Sequence, residues 1–554
     1  MKNIHSLKYP ELVFGIAGPI GIDIDAIVRT LKEVLSTVAY QSALIRITDE
    51  ITEIESPESK PINHTFYNMM RYKMAHASAI CRERKDPAYL MRLAILAIKR
   101  EREKLCESTL VMSNEDDNEK SVVSHIENDQ PLTFVLLSDD NMDVAYRSAY
   151  IIRQIKRPEE VQLLRKVYGP QFLLISAYGS EVRRAKILRD KIKQSDSSNI
   201  SDARESYLAS QLIELDMNEG QDSFGQHTRE SFHLADVVVD GINKDTMRSN
   251  IERFIHALFG LNEVAPTKAE FGMNAAYMAS LRSSDLSRQV GAAVLTNSGE
   301  LIAQGCNEVP KAFGGTYWDG EQPDFRDVKL GQDSNDILKV DVLTDLVEIM
   351  KKHGLLSDRI AKAGSPTQLV KFLIGRGGGP DEFEGARGAL KNSKVMDLTE
   401  YGRVVHAEMN SICDAARTGV SLKASKLFTT TFPCHNCTKH ILAAGISEVV
   451  FLEPYPKSKA KELHDNEIEI EGSSIDKVNF VPFLGITPTL YRIVFEKSKR
   501  KKDGVAVRWQ HGGPAPMVDV SAPTYLHYEN LITKVESEEE HRESESRSDS
   551  EEQE

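Results

Sequence analysis

Two short clusters in this 554-residue chain stand apart for the chemistry their side chains can do: His406-Ala407-Glu408, and Pro433-Cys434-His435-Asn436-Cys437. Zinc is well served by three nitrogen and sulfur donors that leave a fourth position open to water. His406, Cys434 and Cys437 supply that set, the two cysteines in C-x-x-C spacing where a strand gives way to a helix, so the helix dipole favours a deprotonated sulfur. Glu408, two positions from the histidine, can sit beside the metal without ligating it. From there it can take a proton from a water and deliver it to a ring nitrogen and a leaving amine. Alone, either cluster has blander meanings: C-x-x-C also marks half of a structural zinc ribbon or a redox pair, and Cys413, His435 or His440 can serve as a fourth ligand. Together, an H-x-E at a helix start and a P-C-x-x-C between strand and helix favour a catalytic zinc with an open position over a structural one.

The elements that must position these residues follow from periodicity. A helix is expected over Ala407–Thr418, a strand over Lys426–Thr431, a helix after Pro433 and a strand over Glu448–Leu452. Upstream, Asn274–Leu281 reads as helix, and Val290–Thr296 with Leu301–Gly305 reads as a hairpin turning at Asn297-Ser298-Gly299-Glu300. Residues 310–401 are Gly-rich and polar around one amphipathic helix, Val340–His353, and form a long insertion.

These stretches resemble the cytidine deaminase superfamily, specifically its deoxycytidylate deaminase branch. The resemblance rests on Tyr277-Met278-Ala279-Ser280-Leu281-Arg282-Ser283-Ser284-Asp285, Ser287-Arg288-Gln289-Val290-Gly291-Ala292, Gly305-Cys306-Asn307-Glu308-Val309-Pro310, His406-Ala407-Glu408-Met409-Asn410-Ser411-Ile412 and Phe432-Pro433-Cys434-His435-Asn436-Cys437. It implies attack of hydroxide at C4 of cytosine, Glu408 as proton carrier, Asn307 on the sugar hydroxyl, and backbone around Ala407 and Cys434 on the base edge. Glu308 stands where that branch usually has glycine. Cations for the substrate phosphates are expected among Arg282, Arg288 and Lys457.

The N-terminal half alternates strands and helices, the pattern of a parallel α/β domain. Strands are expected at Leu12–Phe14, Leu132–Leu137, Gln171–Ser176 and Val237–Val239. Helices are expected at Ile24–Leu35, Tyr67–Ala79, Ala88–Lys104, Pro158–Tyr168 and within Asp240–Leu261. Gly15, Gly18 and Gly21 lie in a turn-rich stretch before the first helix, the layout of a phosphate-binding loop. The lysine and Ser/Thr of the G-x-x-x-x-G-K-[ST] pattern are absent, replaced by Ile22 and Asp23, which argues against an active kinase. With Ile155-Lys156-Arg157-Pro158-Glu159-Glu160-Val161, Gly225-Gln226-His227-Thr228-Arg229 and Ala235-Asp236-Val237, this half is similar to divergent P-loop nucleotide kinases and reads as a nucleotide sensor, an assembly module or a structural relic.

The expected architecture is therefore α/β throughout: a degenerate P-loop kinase-like domain with a parallel sheet (1–262), then a cytidine-deaminase-like α/β/α domain (263–500, insertion 310–401), an extension (501–535) and an acidic tail (536–554). That arrangement resembles the bacterial anti-phage dCTP deaminases. The resemblance implies deamination of dCTP, and of dCMP, to uracil nucleotides, depleting dCTP during phage replication. It also implies a homo-oligomer, with a regulatory small RNA or a nucleotide effector as partner. The rivals are a housekeeping dCMP deaminase and a polynucleotide-editing deaminase.

Composition narrows the classes. Hydrophobic residues are 41% and charged residues 27%, enough for a real core, and six cysteines are too few for a disulfide scaffold. No apolar run approaches a membrane span, and no secretory layout opens the chain, so a cytoplasmic protein without a membrane partner is expected. The segment Glu536–Glu554 holds ten acidic residues and two arginines, which account for −8 of the −14 net charge. The remaining body is nearly neutral, and with aromatics at 7% it makes a poor single-strand groove. The run Lys497-Ser498-Lys499-Arg500-Lys501-Lys502 is the one strongly basic stretch. The tail has almost no apolar residues and is expected to be disordered.

Overall fold

The computed structural model describes residues 7–52, 54, 59–113, 135–137, 142–196, 201–217, 231–378, 385–455, 458–520 and 524–535. The acidic tail, most of the excursion after Met112, Gly225–Arg229 and Lys457 lie outside the described residues. The chain divides into two compact units, one of residues 1–270 with 484–554 and the other of 271–483. The boundaries expected at 262 and 500 thus differ from the observed ones. Residues after Phe483 belong with the first unit because Gly485–Ile486 pairs antiparallel with Val237–Val238 there.

In the first unit, a six-stranded sheet runs Gly485–Ile486, Val237–Asp240, Phe172–Tyr178, Leu12–Ala17, Ser148–Ile155, Gln41–Arg46, all parallel except the first. Leu12, Phe14 and Ile16 face one core with the helices Ile24–Thr37 and Lys244–Leu258. Val13 and Ala17 face another with Tyr89–Ser113 and Pro158–Tyr168. Burial on both faces explains why the central strand is a continuous apolar run. Gly15 lies inside that strand, paired with Ile152 and Leu174, rather than in the loop. A Cβ there would come within 2.4 Å of Ile155 Cδ1.

The second unit is built on another six-stranded sheet: Ile468–Ile470, Val478–Pro482, Glu448–Glu453, Lys426–Thr431, Gly291–Leu295, Leu301–Cys306. The first four are parallel; the last two form the expected hairpin and join Lys426–Thr431 antiparallel. The helix Ala407–Thr418 packs on one face through Ala407 and Ala415, and the helix Lys268–Ser280 approaches the other. The insertion contributes the helices Ser334–Lys352, Asp358–Lys362 and Pro366–Leu373, with a small core of Leu343, Val370 and Ile374. Among the described residues, no helix is long and apolar enough to cross a membrane.

One close approach sets the height of the site. A Cβ on Gly305 would lie 2.3 Å from the Ala407 carbonyl oxygen and 2.6 Å from Ser411 N, both backbone atoms that cannot swing aside. Gly305→Ala is therefore expected to push the helix Ala407–Thr418 off the sheet at a cost of about 1–3 kcal/mol. Zinc per purified chain should fall together with the melting temperature; a variant with unchanged values for both contradicts this packing role.

Candidate metal and active site

His406 is the N-cap of the helix Ala407–Thr418, with extended backbone that frees its ring from the helix surface. Cys434 is the N-cap of the helix His435–Ala443, and its sulfur accepts from Cys437 N at 3.5 Å. The two helix starts therefore converge at the carboxyl end of the strand Lys426–Thr431. His406 Nδ1 stands 3.4 Å from both Cys434 Sγ and Cys437 Sγ. With zinc bonds of about 2.0–2.3 Å, adjacent donors in a tetrahedron stand about 3.5 Å apart, so the spacing fits the ion. Zinc takes thiolates and a neutral imidazole, so its binding displaces the protons that the three side chains share in its absence. The hydrogen bond from Cys437, then His406, lowers the Cys434 thiol to about 4, and Cys434 holds the His406 imidazole up at about 9. The described residues contain one such group of metal-type donors, and these three are its members. His440 and the exposed Cys413 are not in it. His435 is not in it either, but lines the cavity, with an Nδ1 that meets no partner among the described residues.

Glu408 is 4% exposed, and its Oε2 lies 3.4 Å from Cys437 Sγ. Burial pushes its carboxyl above the usual range, the direction that suits a proton carrier. Both His406 and Glu408 open onto a cavity of about 290 Å³, near the lower end of the usual range for small-molecule sites. Ala407, Asn307, Thr431, Phe432 and Tyr455 contribute to its wall. Asn410 fastens the helix above it by donating to Cys306 O at 2.8 Å.

Asn307 lines this cavity with both ends of its amide already engaged: Oδ1 accepts from Val290 N and Nδ2 donates to Arg288 O, each at 2.7 Å. Glu308 explains how the loop works without the usual glycine. It is 1% exposed, and its carboxylate accepts from Ser284 N at 2.9 Å, Ser284 Oγ at 2.6 Å and Val309 N at 2.9 Å. It ties the loop at Asn307 to the segment that begins the cavity wall.

Of the cations expected near the mouth, Arg288 lines the cavity, bridged to Glu453 at 3.1 Å and lying 5.5 Å over the Tyr455 ring. Arg282 does not line it; that side chain reaches Cys306 Sγ at 3.3 Å, bonds Thr316 and stacks 4.0 Å over Trp318. Sequence reasoning missed Arg403, a lining residue that pairs with Asp327 at 2.6 Å and donates to Phe325 O at 3.0 Å. Asp327, Asp333, Asn335, Asp397 and Thr399 come from the insertion, which thus forms a wall of the cavity, and Arg403 lies just past its end. No motif announces these residues, and only the long insertion itself signals a functional segment.

Residues 266–453 match the family model for the cytidine and deoxycytidylate deaminase zinc-binding region. A deoxycytidylate deaminase of Mus musculus is 32% identical over 98 residues, 18% of this chain and 50% of that protein. A probable deoxycytidylate deaminase of Drosophila melanogaster is 44% identical over 66 residues, 12% and 32% respectively. The deoxycytidylate deaminase of Enterobacteria phage T2 is 42% identical over 55 residues, 10% and 29%. The chain spans half or less of the length of these curated relatives. A crystal structure of the dCMP deaminase from cyanophage S-TIM5 aligns over 38% of this chain and 95% of that one, at 17% identity and a TM-score of 0.19. Within residues 266–453, which match the zinc-binding region of cytidine and deoxycytidylate deaminases, His406, Cys434 and Cys437 form a cluster fit to hold the metal.

Proposed function

We propose that the chain is a zinc-dependent hydrolase that deaminates deoxycytidine nucleotides, dCTP as well as dCMP, to deoxyuridine nucleotides and ammonia. One arrangement carries the reading: three zinc-type donors beside a buried carboxylate that lines a cavity of about 290 Å³, inside the matched region. Zinc, when bound, supplies the Lewis acidity that brings a water's pKa to about 7. Glu408 takes that water's proton and delivers it to N3 of cytosine as the oxygen adds to C4. Glu408 then takes the remaining proton from the hydroxyl on C4 and passes it to the amino nitrogen, so that the C4 carbonyl forms as the C4–N bond breaks and ammonia leaves. Backbone around Ala407 and Cys434 holds the base edge. Asn307, with its amide held by Arg288 and Val290, shapes the wall beside the sugar. Arg288 and Arg403 are the cavity's two arginines, and they supply positive charge for phosphate.

The wider reading, depletion of dCTP in defence against phage by a homo-oligomer in the cytoplasm, under an RNA or nucleotide effector, rests on resemblance to the bacterial anti-phage dCTP deaminases. A parallel sheet with a glycine loop after its central strand is the N-terminal feature that supports it. The curated relatives are deoxycytidylate deaminases, and that favours ordinary pyrimidine metabolism as the second reading. Incubating zinc-loaded protein with dCTP, dCMP, CTP and a cytosine-containing single strand separates them. Turnover of dCTP supports the first reading, dCMP alone the second, and turnover of the strand alone overturns both.

A further inference from the structure

The one strongly basic stretch of the chain folds into a small exposed hairpin. Lys501–Lys502 pairs antiparallel with Val505–Ala506 across the turn Asp503-Gly504, and Arg500 O accepts from Val507 N at 2.9 Å. Lys499, Arg500, Lys501, Lys502 and Arg508 are all exposed, and none of the five pairs with a carboxylate among the described residues. Groups behind the hairpin feel its uncompensated positive field. Burial, then Arg500, holds the Lys497 ammonium below its usual range, and burial, then Lys8 and Lys497, does the same to the His511 imidazole.

The most acidic segment of the chain sets out from the same end of the same unit. Behind the hairpin, Gln510 N donates to Gly260 O at 2.8 Å, and the neighbouring Phe259 packs on Tyr40 with 4.9 Å between ring centroids. Tyr40 donates its hydroxyl to Pro10 O at 2.9 Å. Next to Pro10, Glu11 accepts at 2.7 Å from Tyr525, within the segment Thr524–Val535 that leads directly into Glu536. Both therefore root at Pro10–Glu11, the amino end of the central strand. The 19 residues 536–554 reach about 60 Å when extended, and their tether holds them near the hairpin at an effective concentration on the order of millimolar. Ten acidic residues and two arginines there face five cations and one aspartate in residues 499–508.

We propose that the basic hairpin 499–508 is the docking surface of the chain's own acidic segment Glu536–Glu554, which covers it against foreign polyanions such as nucleic acid. Each contact is an exposed ion pair worth little alone, so the docking is collective and yields to salt. This inference is independent of the deaminase reading, since its residues all lie in the first unit and its test needs no turnover.

The test is carbodiimide cross-linking of the full chain, which joins a lysine to a carboxylate only where the two touch. At low salt, Lys499, Lys501 and Lys502 are expected to link to Glu536–Glu554 within one chain, with a yield that falls at least about tenfold in about 0.5 M salt. Links spread over the other lysines, or links that join two copies, overturn the proposal. A second arm titrates a short oligothymidylate into the wild type and into a variant carrying Glu538→Gln, Glu539→Gln, Glu540→Gln and Glu543→Gln. The variant is expected to bind at least about tenfold more tightly, and adding Lys501→Glu and Lys502→Glu should remove the gain. Equal affinity of wild type and variant marks a hairpin already open to nucleic acid and overturns the proposal, as does a gain that survives the lysine changes.

Discussion

Glu408→Gln is expected to lower deamination by about 10²–10⁴-fold while leaving one zinc per chain. The substitution keeps the size of the side chain and its place beside Cys437, but an amide cannot accept and return a proton. Zinc retention follows from geometry, because the three donors are His406 Nδ1 and the sulfurs of Cys434 and Cys437, with Glu408 adjacent to them. Steady-state rates on dCMP, measured beside metal content, check both halves. A rate within a few-fold of wild type denies Glu408 the proton-carrying role, and loss of zinc makes it a support of the metal site instead.

Arg102→Met should destabilise the first unit by about 3–5 kcal/mol, the usual consequence of leaving buried carboxylates without their cation. Arg102 Nε lies 2.8 Å and 3.0 Å from the two oxygens of Glu11. Its two terminal nitrogens reach Glu529 at 2.6 Å and 2.9 Å. Glu11 and Glu529 are 2% and 1% exposed, and Tyr525 and Tyr168 donate their hydroxyls to them. The cluster pins the segment Thr524–Val535 to the start of the central strand. Removing the cation strands two negative charges in one apolar pocket. Urea unfolding followed in the first unit should show a lower midpoint, and adding Glu11→Gln and Glu529→Gln should recover much of the loss. A midpoint shift worth less than about 1 kcal/mol contradicts this account of the cluster.

The chemistry of the site was legible because its residues are local. His406 and Glu408 open one helix, Cys434 and Cys437 the next, and the expected bounds Ala407–Thr418 and Lys426–Thr431 are those observed. What sequence reading missed depends on pairing across long separations. Ser148–Ile155 carries no turn signal before it, yet it is the neighbour of the central strand. Gly485–Ile486 is two residues long and gains its meaning only from Val237–Val238. Asp327 reaches the cavity because the insertion folds back over it, and pairs there with Arg403 just past the insertion's end, while Asp216 meets Ile20 from a helix no motif connects to the loop. Glu308 did leave a trace in the sequence, a carboxylate where glycine is usual, and the structure shows it clamping Ser284.

The most direct test of the central claim is to purify the chain, determine its zinc content, and follow loss of the amino group from dCMP and dCTP before and after chelation and zinc return. About one zinc per chain, turnover lost on chelation and restored by zinc, is the predicted result. A chain that carries its zinc, is folded, and leaves every cytosine nucleotide unchanged contradicts it.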